Sequence, residues 1–72
     1  MNDLTEREKS IFLFIKDFHS QKGYSPTIRE IQKGVFLASP YQIQIYLDRL
    51  CEKGYISRTE KISRSIIIKK AL

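Results

Sequence analysis

Apolar residues in the first two thirds of the chain recur at helical spacing in three separate blocks. Residues three or four positions apart lie on the same face of an α-helix, so each repeat of this kind marks one buried stripe. The stripes consist of Ile11, Phe12, Ile15 and Phe18, of Ile28, Ile31 and Val35, and of Ile43, Leu47 and Leu50. The pattern predicts three amphipathic helices.

Each block begins with a pair of polar residues that is typical of a helix start. In a capping box, the N-cap serine or threonine and a glutamate or glutamine three residues later accept hydrogen bonds from each other's backbone N–H. The pairs here are Thr5 with Glu8, Thr27 with Glu30, and Ser39 with Gln42. Pro40 suits a first helical position, and Gly23 and Gly54 can take the left-handed conformation that ends a helix. The predicted helices cover about residues 6–22, 28–35 and 40–53.

The segments after the second and third helices predict the rest of the architecture. Residues 36–39 are too few to join the two helices as a relaxed hairpin, and a corner of this length is typical of a helix-turn-helix. After Gly54 the helical period ends and β-branched residues become frequent, which predicts an antiparallel β-hairpin over about residues 55–69. Ile66 and Ile68 should share one face of it and Ile67 the other. We expect a mainly α fold with a small β-hairpin, in one domain over residues 1–72.

The composition excludes several classes of site. With one cysteine, Cys51, and one histidine, His19, the sequence cannot form an intrachain disulfide, a structural zinc site or a Cys-His nucleophile with an orienting group. No cluster of catalytic residues and no cofactor or small-molecule motif is evident, so we do not expect an enzyme. No apolar run has transmembrane length and no signal peptide is evident, which predicts a cytoplasmic protein without membrane contact.

The net charge of +5 lies almost entirely in the last quarter of the sequence. Residues 55–72 contain five basic residues and one acidic residue, whereas the rest of the chain is close to neutral. A basic segment beside a helix with a polar outer face suggests a polyanion as partner, most often nucleic acid. Many small basic domains bind no anion, so charge alone does not identify the partner.

Five short motifs occur in a fixed order between Leu4 and about Ile68. They are Leu4-Thr5-x-Arg7, the segment 23–31, Leu37-Ala38-Ser39, Leu47-x-x-Leu50-x-x-Lys53-Gly54-x-Ile56, and Ser63-Arg64-x-Ile66. In order and spacing they resemble the N-terminal DNA-binding domain of the LexA repressor family. The resemblance implies a winged helix-turn-helix that binds double-stranded DNA sequence-specifically, with its third helix in the major groove and the hairpin as a wing on the DNA backbone. It also implies a repressor of the DNA-damage (SOS) response that binds an inverted-repeat operator as a weak homodimer.

The sequence departs from the family pattern at two positions. The family usually has a proline where Ser25 stands and a glycine, ending the second helix, where Phe36 stands; the nearest glycine here is Gly34. We therefore expect the end of the second helix to be wound differently. The family's self-cleaving serine peptidase has no counterpart in these 72 residues, which also predicts no catalysis.

The N-terminal half of the third helix provides the candidates for base contacts. A glutamine can pair bidentately with adenine, and an apolar side chain can pack on a thymine methyl group. The candidates are Ser39, Tyr41, Gln42, Gln44 and Ile45. Ile45 lies roughly 160° from the middle of the apolar stripe, so we expect it to be exposed. Alternatively, Ile45 is an exposed hydrophobe without a role, and Tyr41 lies over Phe36 at the edge of the core.

Basic and hydroxyl residues at the hairpin and at helix starts are the candidates for phosphate contacts. The candidates are Lys53, Arg58, Lys61, Ser63 and Arg64 near the hairpin, and Arg7, Thr27 and Arg29 near helix N-termini. The resemblance supports Lys53 and Arg64 in particular, because they match family positions. Each assignment has an alternative: the hairpin could be only a solvated charged surface, and Arg29 could pair with nearby acids. For the domain as a whole, the alternative is a protein-interaction module that does not bind DNA.

Overall fold

The chain folds as three helices followed by a two-stranded antiparallel sheet, in a computed structural model that describes residues 4–36, 39–59, 62 and 64–70. The elements are α1 (Glu6–Lys22), α2 (Ile28–Val35), α3 (Pro40–Glu52), β1 (Ile56–Ser57) and β2 (Ile67–Ile68). In the sheet Ile56 pairs with Ile68 and Ser57 with Ile67. The predicted fold class is confirmed, although the paired strands are much shorter than the predicted hairpin.

Capping boxes fix the starts of α1 and α2, as predicted. The Thr5 hydroxyl accepts from the Glu8 N–H at 3.2 Å, and a Glu8 carboxylate oxygen accepts from the Thr5 N–H at 2.8 Å. The same reciprocal pair joins Thr27 and Glu30, at 3.2 and 2.9 Å. Each box satisfies two backbone donors that the first turn of a helix would otherwise leave unpaired.

The start of α3 is capped differently from the prediction. Ser39 is the N-cap and Pro40 the first helical residue, as expected, but the Ser39 hydroxyl accepts from the N–H of Tyr41 at 3.1 Å and not from that of Gln42. The capping bond therefore goes to the second helical residue, and the predicted box with Gln42 does not form. The helix ends at Glu52, and Gly54 follows with a φ of 83°, in the left-handed region that glycine tolerates best.

Ten buried apolar side chains among the described residues form a core that joins the three helices and β1. They are Ile11, Phe12 and Ile15 of α1, Ile31 of α2, Ile43, Leu47 and Leu50 of α3, and Tyr55, Ile56 and Ile66 of the hairpin region. Each helix packs against the other two, and β1 packs against α3. Because α2 has only eight residues, it is too short to be stable alone and depends on this packing. The outer face of α3 is left uncovered by the core.

The end of α2 keeps a left-handed residue even though that residue is not glycine. Phe36 is the C-cap, with φ 58° and ψ 39°, and its N–H donates to the carbonyl of Gln32. Gly34 lies inside the helix, where an added Cβ would overlap the ring of Phe14. Phe36 therefore takes a left-handed conformation that a glycine at this position would favour, and the expectation that this end is wound differently from the family stays a prediction. Gly34 serves a packing purpose and does not end the helix.

The two faces of the hairpin differ as the alternation predicts. Ile66 is buried and Ile68 is half-buried against the core, whereas Ile67 is 62% exposed. Cys51 is half-buried against the same core, and its burial raises the pKa of the thiol. Within the described ranges, no helix is both long enough and apolar enough to cross a membrane.

Candidate nucleic-acid interface

A cleft of about 590 Å³ lies between the start of α2, the outer side of α3 and the hairpin. Five residues predicted for the site line it: Thr27, Arg29, Gln44, Arg58 and Arg64. These residues come from three separate parts of the sequence, and the packing of α2, α3 and β1 around the core brings them together. We call this feature the wing cleft.

The polar face of α3 borders the wing cleft. Gln42 and Gln44 are exposed, whereas Ile43 and Leu47 are fully buried. Gln44 lines the cleft, and so does Leu47, one helical turn further along. Among the described residues, no side-chain hydrogen bond engages either glutamine. Their amides are therefore available to donate to and accept from an external partner.

The two apolar candidates on α3 differ in exposure. Tyr41 is 70% exposed and Phe36 is 90% exposed, so the alternative in which Tyr41 covers Phe36 at the edge of the core is wrong. Ile45 is half-buried, although the helical projection predicted an exposed side chain, and it does not pack against the core cluster. A helical projection considers only the direction of the core, so it does not include neighbouring side chains on the outer surface that can lower the exposure of a residue.

Ser39 retains hydrogen-bonding capacity after capping α3. Its oxygen accepts the N–H of Tyr41, and a hydroxyl can still donate its own proton. It is half-buried at the start of the helix, next to the exposed Pro40. The position suits a contact with a phosphate or a base at the helix N-terminus.

Three of the predicted phosphate-binding cations form ion pairs within the domain. Arg64 pairs with Glu30 through two hydrogen bonds of 2.9 and 3.2 Å. Arg58 pairs with Asp48 at 3.0 Å. Lys53 pairs with Glu8 at 2.9 Å, on the α1 side of the molecule, and it does not line the wing cleft. A phosphate could engage any of these cations only in competition with its carboxylate.

The carboxylate of Glu8 is the most buried charged group described, at 1% exposure. Burial raises its pKa, but the hydrogen bond from the Thr5 backbone and the Lys53 ammonium outweigh that effect and hold the pKa below its ordinary value. Glu30 also has a lowered pKa, because the backbone N–H of Thr27 and the guanidinium of Arg64 both donate to it. Both glutamates therefore remain charged at neutral pH.

The remaining predicted residues divide between two places. Arg29 is exposed beside Thr27 in the wing cleft and forms no ion pair with any described residue. Arg7 lines a separate groove between α1 and α2, together with Leu13, Phe14 and Gly34, so the structure does not bring it to the other candidates. Lys61 and Ser63 lie outside the described residues.

Sequence reasoning missed the groups that hold these cations in place. Glu8 and Glu30 were predicted as helix caps, but their second partners are 45 and 34 residues away in sequence. Tyr24 and Ile62 were also missed: Tyr24 lies under the Arg64 guanidinium, and Ile62, 60% exposed, lines the wing cleft. The capping-box residues indicate local structure only, and no local pattern in the sequence indicates contacts between residues that are 34 to 45 positions apart.

Comparison with known proteins gives consistent matches over nearly the whole chain. The profile of the LexA DNA binding domain matches residues 1–65. The LexA repressor of Thermosipho melanesiensis is 44% identical over 70 residues, which are 97% of this chain and 35% of that protein. A LexA repressor of Staphylococcus aureus is 44% identical over 68 residues, 94% of this chain and 33% of that protein. The chain thus spans about a third of the length of the curated relatives it matches.

Proposed function

The chain belongs to the LexA DNA-binding domain family, and from this membership and the wing cleft we propose that it binds double-stranded DNA sequence-specifically. The observation that carries the proposal is the convergence on one cleft of residues from α2, α3 and the hairpin. In a winged helix-turn-helix, α3 enters the major groove and the hairpin lies along the backbone. The family assignment favours DNA over the alternative of a protein-docking domain.

The N-terminal half of α3 has the chemistry for contacts with bases. Gln42 and Gln44 can each pair with an adenine edge, and Tyr41 and Ile45 can pack against thymine methyl groups. Ser39 can donate to a base or phosphate at the start of the helix. The first acid on the helix is Asp48, eight positions after Pro40, so the half that would enter the groove carries no charge that repels phosphates.

Phosphate contacts are proposed for the start of α2 and for the hairpin. Arg29 is exposed at the cleft without an ion pair among the described residues, and Thr27 lies beside it at a helix N-terminus, where backbone dipoles favour anions. Lys61 and Ser63 remain candidates on the hairpin. Lys53 and Arg58 could bind phosphate only by leaving their carboxylates, and Arg7 would need DNA to extend beyond the wing cleft.

We further propose that the chain is the DNA-binding part of a transcriptional repressor, as the names of its relatives indicate for those proteins. It would act by occupying operator DNA rather than by catalysis, in the cytoplasm of a bacterium or phage-infected cell. An inverted-repeat operator would place two domains side by side as a weak homodimer. Regulation of DNA-damage genes follows if the whole protein works as a LexA repressor.

The experiment is selection of bound sequences from a random duplex pool at two salt concentrations. We expect enrichment of a half-site, or of two half-sites in inverted orientation, and affinity that falls as salt rises. Gln44→Ala should change preference at one base pair by about 1–3 kcal/mol. The matched control is Gln21→Ala, an exposed glutamine on α1. Failure to enrich any sequence at low salt, or equal effects of the two alanines, would contradict the proposal.

A second pair of variants tests the phosphate contact. Arg29→Gln should weaken binding to all duplexes alike and lower the salt slope by about 1, because one fewer counterion is released. Lys16→Gln removes the same charge from an exposed position on α1 and should leave the slope unchanged. Equal slopes for the two variants would remove Arg29 from the interface.

A further inference from the structure

Arg64 has four contacts with three residues near the start of α2 in the described part of the structure. Its guanidinium makes two bonds to Glu30, donates to the carbonyl of Ser25 at 3.1 Å and lies over the Tyr24 ring, 4.6 Å from the centroid. Its backbone has a φ of 57°, a left-handed conformation that costs a non-glycine residue energy. Such a conformation persists only where surrounding contacts enforce it, and the contacts of the Arg64 side chain come from 34 to 40 residues away in sequence.

We propose that Arg64 is a positioning residue for DNA binding, which latches the hairpin to the start of α2 and sets the shape of the wing cleft. The inference rests on the proposed function. It replaces the phosphate contact expected for Arg64 with a contact inside the protein, so that Arg64 acts through the placement of the hairpin and of Arg29.

Glu30 takes part in both the latch and the capping box of α2. The same carboxylate oxygen accepts from the Thr27 N–H and from Arg64 Nη1, each at 2.9 Å. The second oxygen accepts from Arg64 Nη2 at 3.2 Å. Thr27 lines the wing cleft, as Arg64 does, so the two walls of the cleft share one anchor. Movement of the hairpin would therefore disturb the start of α2 as well.

The geometry of the pair requires arginine. Two parallel N–H groups match the two carboxylate oxygens, and the planar guanidinium stacks on an aromatic ring at the same time. Lysine carries the same charge but has no fork and no planar group to stack. A phosphate contact has a weaker requirement, since a lysine can bind phosphate as a point charge. The Arg64→Lys variant consequently separates the two roles.

The test compares Arg64→Lys, Arg64→Gln and Glu30→Gln with the wild type, using fluorescence anisotropy on the selected duplex at several salt concentrations. A latch predicts that Arg64→Lys loses about as much affinity as Arg64→Gln, roughly five- to tenfold, and that the two variants have the same salt slope. Rescue of affinity by lysine, with a slope lowered by about 1 only in the glutamine variant, would overturn the proposal.

The latch role and the phosphate-binding role of Arg64 predict opposite effects of Glu30→Gln on DNA affinity. Glutamine can still complete the capping box, so the start of α2 is preserved. If Arg64 binds phosphate, removing its carboxylate partner and a negative charge should strengthen DNA binding. The latch predicts weaker binding, by about threefold, because one charge-assisted bond to Arg64 is lost. Stronger binding by this variant would overturn the proposal.

Two controls keep these outcomes separate from misfolding and from failure of the proposed function. Arg49→Lys is a matched substitution on an exposed arginine that lies over the ring of Tyr46 and forms no ion pair or side-chain hydrogen bond among the described residues, and it should bind like the wild type. Thermal unfolding of each variant sets a binding temperature at which all are folded. A wild type that binds no duplex refutes the proposed function, whereas a wild type that binds alongside an unimpaired Arg64→Lys refutes the latch alone.

Discussion

Replacing Phe36 with glycine should stabilise the domain, although it removes a large apolar side chain. Phe36 ends α2 with φ 58° and ψ 39°, and its side chain is 90% exposed. In this left-handed conformation the Cβ of an L-residue crowds the neighbouring carbonyl oxygen, whereas glycine has no Cβ. The exposed ring contributes little burial, so its removal costs little.

The expected gain is the difference between two terms of similar size. A non-glycine residue in the left-handed region costs about 1–2 kcal/mol. Glycine offsets part of this gain, by roughly 0.5–1 kcal/mol, because it makes the unfolded chain more flexible and so increases the conformational entropy lost on folding. The net stabilisation should be near 1 kcal/mol, which for a domain of this size raises the melting temperature by about 4–8 °C.

Urea unfolding followed by circular dichroism measures this free energy, with Phe36→Ala as the matched control. Alanine removes the ring but keeps the Cβ, so it should leave the strain in place and give no comparable gain. The glycine variant should be more stable than the alanine variant by about 1 kcal/mol. Equal stability of the two variants would show that the conformation at Phe36 stores no strain, and the reasoning would fail.

Three further predictions follow from the packing, the ion pairs and the interface. Gly34→Ala should destabilise the domain by about 1 kcal/mol despite alanine's higher helix propensity, because its Cβ would displace the Phe14 ring; equal or higher stability in urea would contradict this. Because the folded-state pKa of Glu8 lies below its ordinary value of 4.5, its contribution to stability is present above that pH and is lost as the pH falls through the folded pKa. Lys53→Gln should reduce this acid-induced loss, measured as the difference in unfolding free energy between about pH 6 and pH 3. Ile45→Ala should alter preference at one operator position by about 1–3 kcal/mol while the fold survives, and unchanged affinities across single-base variants would remove Ile45 from the interface.

Local chemistry made the helices predictable from the sequence. The boxes at Thr5 and Thr27 specify both the first residue of a helix and the partner three positions later, so the structure could agree with them in detail. The third box does not form, because the Ser39 hydroxyl accepts from the nearer N–H of Tyr41. The backbone of Ser39 has a φ of −136°, against −72° at Thr5 and −81° at Thr27, and the residue identities do not specify this difference. The alternation of Ile66, Ile67 and Ile68 was enough to assign their faces.

Positions on the helix surface were harder to predict than positions in the core. Ile43 and Leu47 face a core that all elements share, so a projection down the helix axis places them correctly. The exposure of Ile45 and Tyr41 depends on what neighbouring side chains do outside the core, and the projection contains no information about them. It was wrong for Ile45 and left Tyr41 undecided, yet these are the residues on which sequence recognition is proposed to depend.

The charged residues show that a basic segment of the sequence can indicate the class of partner without indicating which residues bind it. The last quarter of the chain carries most of the net charge, but Arg58 and Arg64 each have a carboxylate from α3 or α2 within about 3 Å. A cation paired in this way adds less to the field that DNA encounters, because its partner cancels much of it at a distance. Arg29 lies in a nearly neutral part of the sequence, yet it presents its charge to the wing cleft without an ion pair among the described residues. The fold alone decides which carboxylate pairs with which cation. Counting charges along the chain therefore favours Arg58 and Arg64 as phosphate ligands, whereas the structure favours Arg29.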